Sequence, residues 1–428
     1  TPWPPARSWQ AADNIVSNKT ALIIGGGVIG VNAACFLAEA GYVVTVIDRD
    51  GICEGTSSGN AAALAFSDIL PMAQKGMLKN VPRWLMDPLG PLSIPPAYFP
   101  FILPWLLKLV REGRADRREA SIAAQVSMMD LSKSETLALA DRAGIASMIR
   151  NDGSLEVYTS EASFQAGLPG WALREKHGVP FEHVRGSRLA DLQPGLAPKV
   201  IAATFSPTWR TVSNPQTFTR VLWDYAKSLG ATFQRGDVRE LRPFAGGASV
   251  DLKDGRRFSA SFVINCAGAW SHKLAATIGE KMPLETERGY NTTLPRDAFD
   301  ARRMIIFGED GFVLTPLIDG IRIGGAVELA GLSRPPNYKR SEAMLTKAKT
   351  YLPALKTDGG RQWMGYRPSL PDTLPAIGRS TSSPHIIHAF GHGHLGLTQS
   401  GATGRLVRDL ALGVTPPINM SPFNPHRF

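Results

Sequence analysis

Gly25, Gly27 and Gly30, in the run GGGVIG, fill a G-x-G-x-x-G spacing, and Asp48 stands eighteen residues beyond the last of them. That pattern serves the seating of a pyrophosphate. The first glycine permits a tight turn, the second lets main chain approach the phosphates, and the third lets a helix lie close against a strand. Val28 and Ile29 carry the turn into the helix, whose free N–H groups and positive dipole end point at the phosphates. Asp48, with Arg49 beside it, ends the next apolar run, where a carboxylate accepts hydrogen bonds from ribose hydroxyls. The fingerprint identifies a dinucleotide site and leaves NAD and FAD both open.

A second cluster, HIIHAFGHGHLGLTQSG over 385–401, places four histidines within ten positions. Metal chemistry does not suit that spacing. His385 and His388 sit in a strand-like run, where positions three apart face opposite sides. His392 and His394 share a side only if the chain is extended, and the three cysteines lie far off in sequence. No metal is expected.

The elements that must position these residues follow from periodicity. ALIIG, GVNAACFLAEAG and YVVTVID read as strand, helix and strand, a βαβ unit. A proline-rich tract spans 82–104, and an amphipathic helix over about 114–146 interrupts the nucleotide-binding topology. Another helix, from Pro215 to about Leu229, opens with a capping residue and a proline in SNPQ. Strands are expected at ATFQRG, SVDLK and FVINCAG, and antiparallel pairing within 281–329 joins FGEDGFVLTP to IRIGGAVEL across Asp319-Gly320.

Composition narrows the partners. A formal charge of +10 on 428 residues favours anions, but the Lys and Arg residues form no long run, which argues against nucleic acid. Cys35, Cys53 and Cys266 read as reduced thiols, so a reducing, cytoplasmic setting is expected. TPWPPARSWQ lacks a signal-peptide pattern. The apolar run AYFPFILPWLLKLV over 97–110 is shorter than the roughly 18–20 residues of a membrane-spanning helix. It reads as a substrate-domain helix, with shallow contact to the cytoplasmic face of a membrane as the alternative.

Four further stretches carry a resemblance. TVIDRDGICEGTSSGNAAAL, FVINCAGAWS, WMGYRPSLPDTLPAIG and FGHGHLGLTQSGATG, in this order, resemble segments of the FAD-dependent D-amino-acid dehydrogenases and the related D-amino-acid, glycine and sarcosine oxidases. The likeness spans most of the chain and is weakest over about 70–205. It implies an α/β fold, with a Rossmann-like FAD-binding domain of glutathione-reductase-like type and an interleaved mixed or antiparallel-sheet substrate domain. The FAD domain would comprise 18–80, 206–280 and 360–428, and the substrate domain 81–205 and 281–359, behind an arm at 1–17.

Site residues follow from the same resemblance. Ser57, Ser58, Asn60 and Ala61 would lie along the isoalloxazine ring, Ala267 and Gly268 against the flavin, and the main chain of Val238 at adenine. Gly391, His392, Gly393, Leu395, Gly396, Leu397 and Thr398 would bring a loop and helix N-terminus to the ring, where negative charge develops. Arg367 would clamp a substrate carboxylate, Tyr290 would offer a hydroxyl or a ring wall, and His394 would sit near flavin or substrate. Arg210, Arg288 and Arg322 are candidates for a second anionic group. No cysteine or histidine occupies the positions at which some relatives attach flavin, so FAD is expected to be non-covalent.

The implied reaction is oxidation of the C–N bond of an amino or imino acid to an imine by hydride transfer to flavin N5, followed by hydrolysis. The substrate would be a D-amino acid, a cyclic one, or an N-substituted glycine such as sarcosine or iminodiacetate, with oxygen or a quinone as electron acceptor. The alternatives are an NAD-dependent dehydrogenase and a flavin-bearing electron-transfer or binding subunit.

Overall fold

A computed structural model describes residues 19–73 and 90–428. The N-terminal arm and the first part of the proline-rich tract lie outside the described residues. Strand β1 (Thr20–Ile24), helix α1 (Val28–Glu39) and strand β2 (Val43–Asp48) form the expected βαβ unit. Both strands belong to a six-stranded sheet in the order Thr232–Arg235, β2, β1, Phe262–Asn265, Ile386–Phe390, Ala376–Arg379. Its first five strands run parallel and the last is antiparallel. The apolar runs are near-continuous because this sheet is covered on both faces.

On one face α1 packs against the Gly396–Leu412 helix, and α1 is apolar nearly all round for that reason. On the other face Leu22, Ile24 and Ile47 meet Leu241, Val250 and Leu252 of a three-stranded antiparallel sheet. The expected amphipathic helix is present as Ala115–Arg142. It packs on the Gly396–Leu412 helix, with Ala124 and Met128 against Ala402 and Leu406, so it covers the six-stranded sheet's helical layer although its sequence position lies in the span of 81–205 expected for the substrate domain.

The second large element is a mixed sheet of nine strands. Three neighbouring strands of it build the site: Arg361–Ser369, Glu285–Leu294 and Gly320–Leu329. The last forms the expected hairpin with Phe312–Leu317; Leu317 faces Gly320, so the link is Ile318-Asp319, one position before the turn read from sequence. The strand carrying Arg367 pairs with Glu285–Leu294 and therefore joins this sheet, whereas the sequence reading placed 360–428 with the nucleotide-binding half.

The helix expected at Pro215 spans Pro215–Ser228 and is capped by Asn214, whose Oδ1 accepts from the Thr217 N–H. The 97–110 run folds as the helix Phe99–Glu112, with Pro104 inside it. Among the described residues no helix is long and apolar enough to cross a membrane. The three cysteines are buried free thiols.

Candidate active site

The glycine turn behaves as its spacing requires. Gly25 has φ +108°, and a Cβ there would stand 2.3 Å from the Cys266 carbonyl oxygen. A Cβ on Gly30 would stand 1.9 Å from the Gly25 oxygen, so this residue serves helix–strand packing and does not itself border the cavity described below. Gly27 caps α1 in an extended conformation, and the Val28 N–H behind it donates to Ser57 Oγ at 3.0 Å. Asp48 accepts from the Gly26 N–H through Oδ2 (2.8 Å) and from the Asp50 and Gly51 N–H groups through Oδ1, tying the glycine turn to the turn after β2. The Arg49 guanidinium carbon sits over Trp270, 3.9 Å from the ring centre.

From this turn a continuous cavity of about 710 Å³ runs to Arg367 and His394. Of the residues assigned from sequence to the cofactor and the substrate, the second-anion arginines apart, all but Gly30, Ser58 and Gly391 border it. Ser58 turns away to donate to the Gly55 carbonyl, and Gly391, at φ +86°, packs where a Cβ would meet Leu370 at 2.5 Å. Thr398 borders it with its hydroxyl already engaged, accepting from the Ala65 N–H and donating to the Ala63 carbonyl.

Strand alternation builds the far end. Glu287, Gly289 and Asn291 face one side of their strand, and their directly paired neighbours Arg367, Gly365 and Trp363 share that side. Two facing glycines leave bare main chain between them. A Cβ on Gly289 would stand 2.3 Å from Nη2 of Arg367, and one on Gly365 would stand 2.1 Å from the Trp363 ring. The guanidinium and the indole are bedded in the space those side chains would have filled.

A bulge then anchors the guanidinium. The register between Glu285–Leu294 and Gly320–Leu329 slips between Arg288 and Tyr290, and Ala326 takes φ +53°, a conformation that costs an L-residue about 1 kcal/mol. The Ala326 carbonyl accepts from Arg367 Nη1 at 3.0 Å and the Gly325 carbonyl from Nη2 at 3.5 Å. Burial pulls the Arg367 guanidinium below its ordinary pKa, and the charge of Glu287 works against that.

Alternation also corrects one expectation. Tyr290 belongs to the opposite side of the strand, in the core of the large sheet, where its hydroxyl donates to Glu328 Oε2 at 2.5 Å and accepts from the Asn337 N–H. That hydroxyl is committed to the protein, and Tyr290 contributes wall only. Arg288 pairs with the same Glu328 at 2.9 Å and, like Arg210, does not border the cavity. Arg322 does border it; Nη1 donates to the Asn60 carbonyl and Nε to Thr293, and burial lowers its pKa to about 10.

Each histidine of the 385–394 run has its own partner. His385 meets the Ser261 carbonyl, His388 meets Glu280 at 2.7 Å, His392 meets Thr403 Oγ1, and His394 meets Asp68 at 3.4 Å. Burial pushes His392 down to about 3, so it is neutral. At His394 burial works in the same direction, but Asp68 overrides it and raises the pKa. Burial works to raise Asp68, yet His394 and Arg174 hold its carboxyl below the ordinary value.

The sequence reading missed Asp68, Trp270, Glu287, Trp363 and Tyr366. Trp363 and Tyr366 flank the arginine motif, so their nearness was a usable signal. Asp68 lies where the resemblance begins to fade, and Glu287 needs a cross-strand register that no single strand reveals.

These residues fit a flavin dinucleotide: a glycine turn closed to a Cβ at Gly25 and Gly30, a helix N-terminus beside it, and one unbroken cavity from that turn to a cation. The fold has solved counterparts. Glycine oxidase from Geobacillus kaustophilus aligns with a TM-score of 0.73 at 21% identity, covering 95% of this chain and 98% of that one. Iminodiacetate oxidase from a Chelativorans species aligns at 0.72 with 19% identity and the same two coverages of 95% and 98%. A D-amino-acid oxidase of Bradyrhizobium diazoefficiens is 34% identical over 415 residues, 95% of this chain and 98% of its own length. A D-amino acid dehydrogenase of Rhizobium johnstonii is 28% identical over 405 residues, with coverages of 93% and 97%. The pattern of the family described as DAO, FAD dependent oxidoreductase, matches residues 20–410, so the choice that the glycine fingerprint left open falls to FAD and the chain belongs to this family of flavoenzymes.

Proposed function

We propose that this oxidoreductase removes two electrons from the C–N bond of a small amino or imino acid, leaving an imine that water hydrolyses. The observation that carries the reading is the position of Arg367, bedded on Gly289 and held by main-chain carbonyls at the opposite end of the cavity from the glycine turn. Two of its five N–H donors are spent on those carbonyls, and the rest suit a carboxylate. FAD, when bound, supplies the two-electron acceptor.

The chain's own residues would hold that cofactor in sequence along the cavity. Gly27, Val28 and Ser57 serve the pyrophosphate, Val238 the adenine end, and Asn60, Ala61 and the stretch 393–398 the ring. Neither GTSSGN nor the last motif offers a cysteine, or a histidine matching a relative's point of attachment, and FAD is accordingly dissociable. At the substrate end, Arg367 orients the carboxylate, Trp363 walls the cavity, and His394, kept in favour of its protonated form by Asp68, adds a second donor.

D-amino acids, including cyclic ones, and N-substituted glycines are the substrate classes to test first. The relatives' names favour the D-amino acids. For the electron acceptor, oxygen and a membrane quinone are the two options; the exposed apolar side of the Phe99–Glu112 helix supports a shallow membrane contact and hence the quinone.

The deciding experiment is anaerobic mixing of the yellow holoenzyme with a panel of D-, cyclic and N-alkyl amino acids. Bleaching by at least one class is expected, and readmitted air restores the colour if oxygen is the acceptor. A flavin that stays oxidised across the panel would favour an electron-transfer or binding subunit.

A further inference from the structure

The side of the Glu285–Leu294 strand on which Gly289 and Asn291 border the cavity also carries, beside Arg367 and just outside the cavity lining, a carboxylate that the reading above does not use. Glu287 stands directly opposite Arg367 in the register, so both side chains leave the sheet on the same side. It is 4% exposed, and its Oε1 has no hydrogen-bond partner. Its charge is felt by both Arg367 and His394. Arg367 nevertheless donates to the Ala326 and Gly325 carbonyls and not to Glu287.

The neighbouring acids are already engaged. Asp68 is shared between His394 and Arg174, and Glu285 accepts from the Tyr98 hydroxyl. A buried carboxylate oxygen left without a donor is costly unless a ligand supplies one.

We propose that Glu287 is the negative half of a zwitterion site, so that the pocket accepts a carboxylate at Arg367 only in company with a cationic nitrogen. The inference rests on the amino-acid reading and names what that reading left open, namely what recognises the nitrogen. A lone guanidinium in a dry pocket would hold any monocarboxylic acid. With Glu287 beside it the pair is neutral overall, and a bare carboxylate brings an unbalanced charge into a buried place. An amino acid brings both signs and leaves the charges around Arg367 and Glu287 balanced. Glu287 is thus a specificity-determining residue that discriminates against the deaminated acid, including the hydrolysed product, which has lost its nitrogen.

The test uses two acids that cannot react. 2-Aminoisobutyrate has a carboxylate and an ammonium group but no α C–H to lose; isobutyrate lacks the nitrogen. Each is titrated into FAD-loaded enzyme by calorimetry. Wild type is expected to bind the amino acid more tightly. Glu287→Gln is expected to weaken the amino acid by about tenfold or more, the scale of one charge-assisted hydrogen bond, and to leave isobutyrate unchanged or tighter. Should the Gln variant fail to hold FAD, Glu287→Asp, which keeps the charge and draws it back by one methylene, is expected to weaken the amino acid and not isobutyrate. A variant that moves both acids equally, or neither, overturns the inference. A wild type that binds neither acid refutes the carboxylate clamp itself, and the inference with it.

Discussion

At Gly289 a single added carbon would stand 2.3 Å from Nη2 of Arg367, closer than any real contact allows. Gly289→Ala therefore has to move the guanidinium off the Ala326 carbonyl, while the glycine turn that seats FAD is untouched. We expect KM for the amino acid to rise about 10- to 100-fold, the value of misaligned hydrogen bonds to a charged group, with FAD content as in wild type. Arg367→Ala is expected to raise KM at least as far. Steady-state kinetics alongside flavin absorbance per protein checks both, and an unchanged KM in Arg367→Ala would remove that residue from the site. Arg367 was legible because a four-motif resemblance marks it. Gly289 and Glu287 were not, since their meaning comes from a strand about eighty positions away that pairs them with Gly365 and Arg367. Tyr290 shows the same limit in reverse: a residue type suited to the site borders the cavity, but its hydroxyl is spent on Glu328 and Asn337.

Elements were legible where one apolar pattern has one solution. The β1–α1–β2 unit follows from two continuous apolar strands around a glycine turn, and the 312–329 hairpin from its alternation and turn. Partners were less legible than elements. The Ala115–Arg142 helix shows an apolar face in sequence, but nothing in that face says it will rest on the Gly396–Leu412 helix. The Phe99–Glu112 helix poses the same question at the surface. Ile102, Trp105 and Leu109 are buried, while Phe101 is 75% and Leu107 62% exposed, and Phe99, Leu103 and Val110 are exposed with them. Lys108 and Arg111 lie on the same helix, a composition suited to an anionic lipid surface. We expect the protein to sediment with vesicles containing anionic lipid and the double variant Phe101→Asp, Leu107→Asp to remain in the supernatant with its melting temperature little changed. Wild type that ignores such vesicles would leave this face without a membrane role.

Over the whole molecule, the histidine run serves in part as a structural fastening. Glu280 receives His388 Nε2 from the Ile386–Phe390 strand, and the Ser380 hydroxyl with the Thr381 and Ser382 N–H groups from the turn after Ala376–Arg379. His426, near the C-terminus, approaches it at 3.6 Å. One buried carboxylate thus ties the edge of the parallel sheet to the segment that follows Phe262–Asn265. Burial works to raise its pKa, but those donors hold it well below the ordinary 4.5. A carboxyl depressed in the folded state stabilises fully above its unfolded value and loses that contribution as pH falls toward the folded one. Glu280→Gln strands the partners of a buried pair and is expected to cost about 3 kcal/mol at pH 7. The difference from wild type should shrink as the pH is taken below about 4.5, because wild type then gives up the same interaction. Bound FAD raises both melting temperatures by mass action, so the comparison is made on apoprotein and again at saturating FAD. Thermal unfolding of the two proteins from pH 7 to pH 3 reads the effect directly, and a difference that stays constant down to pH 3 would show that the carboxylate is not the group holding this edge together.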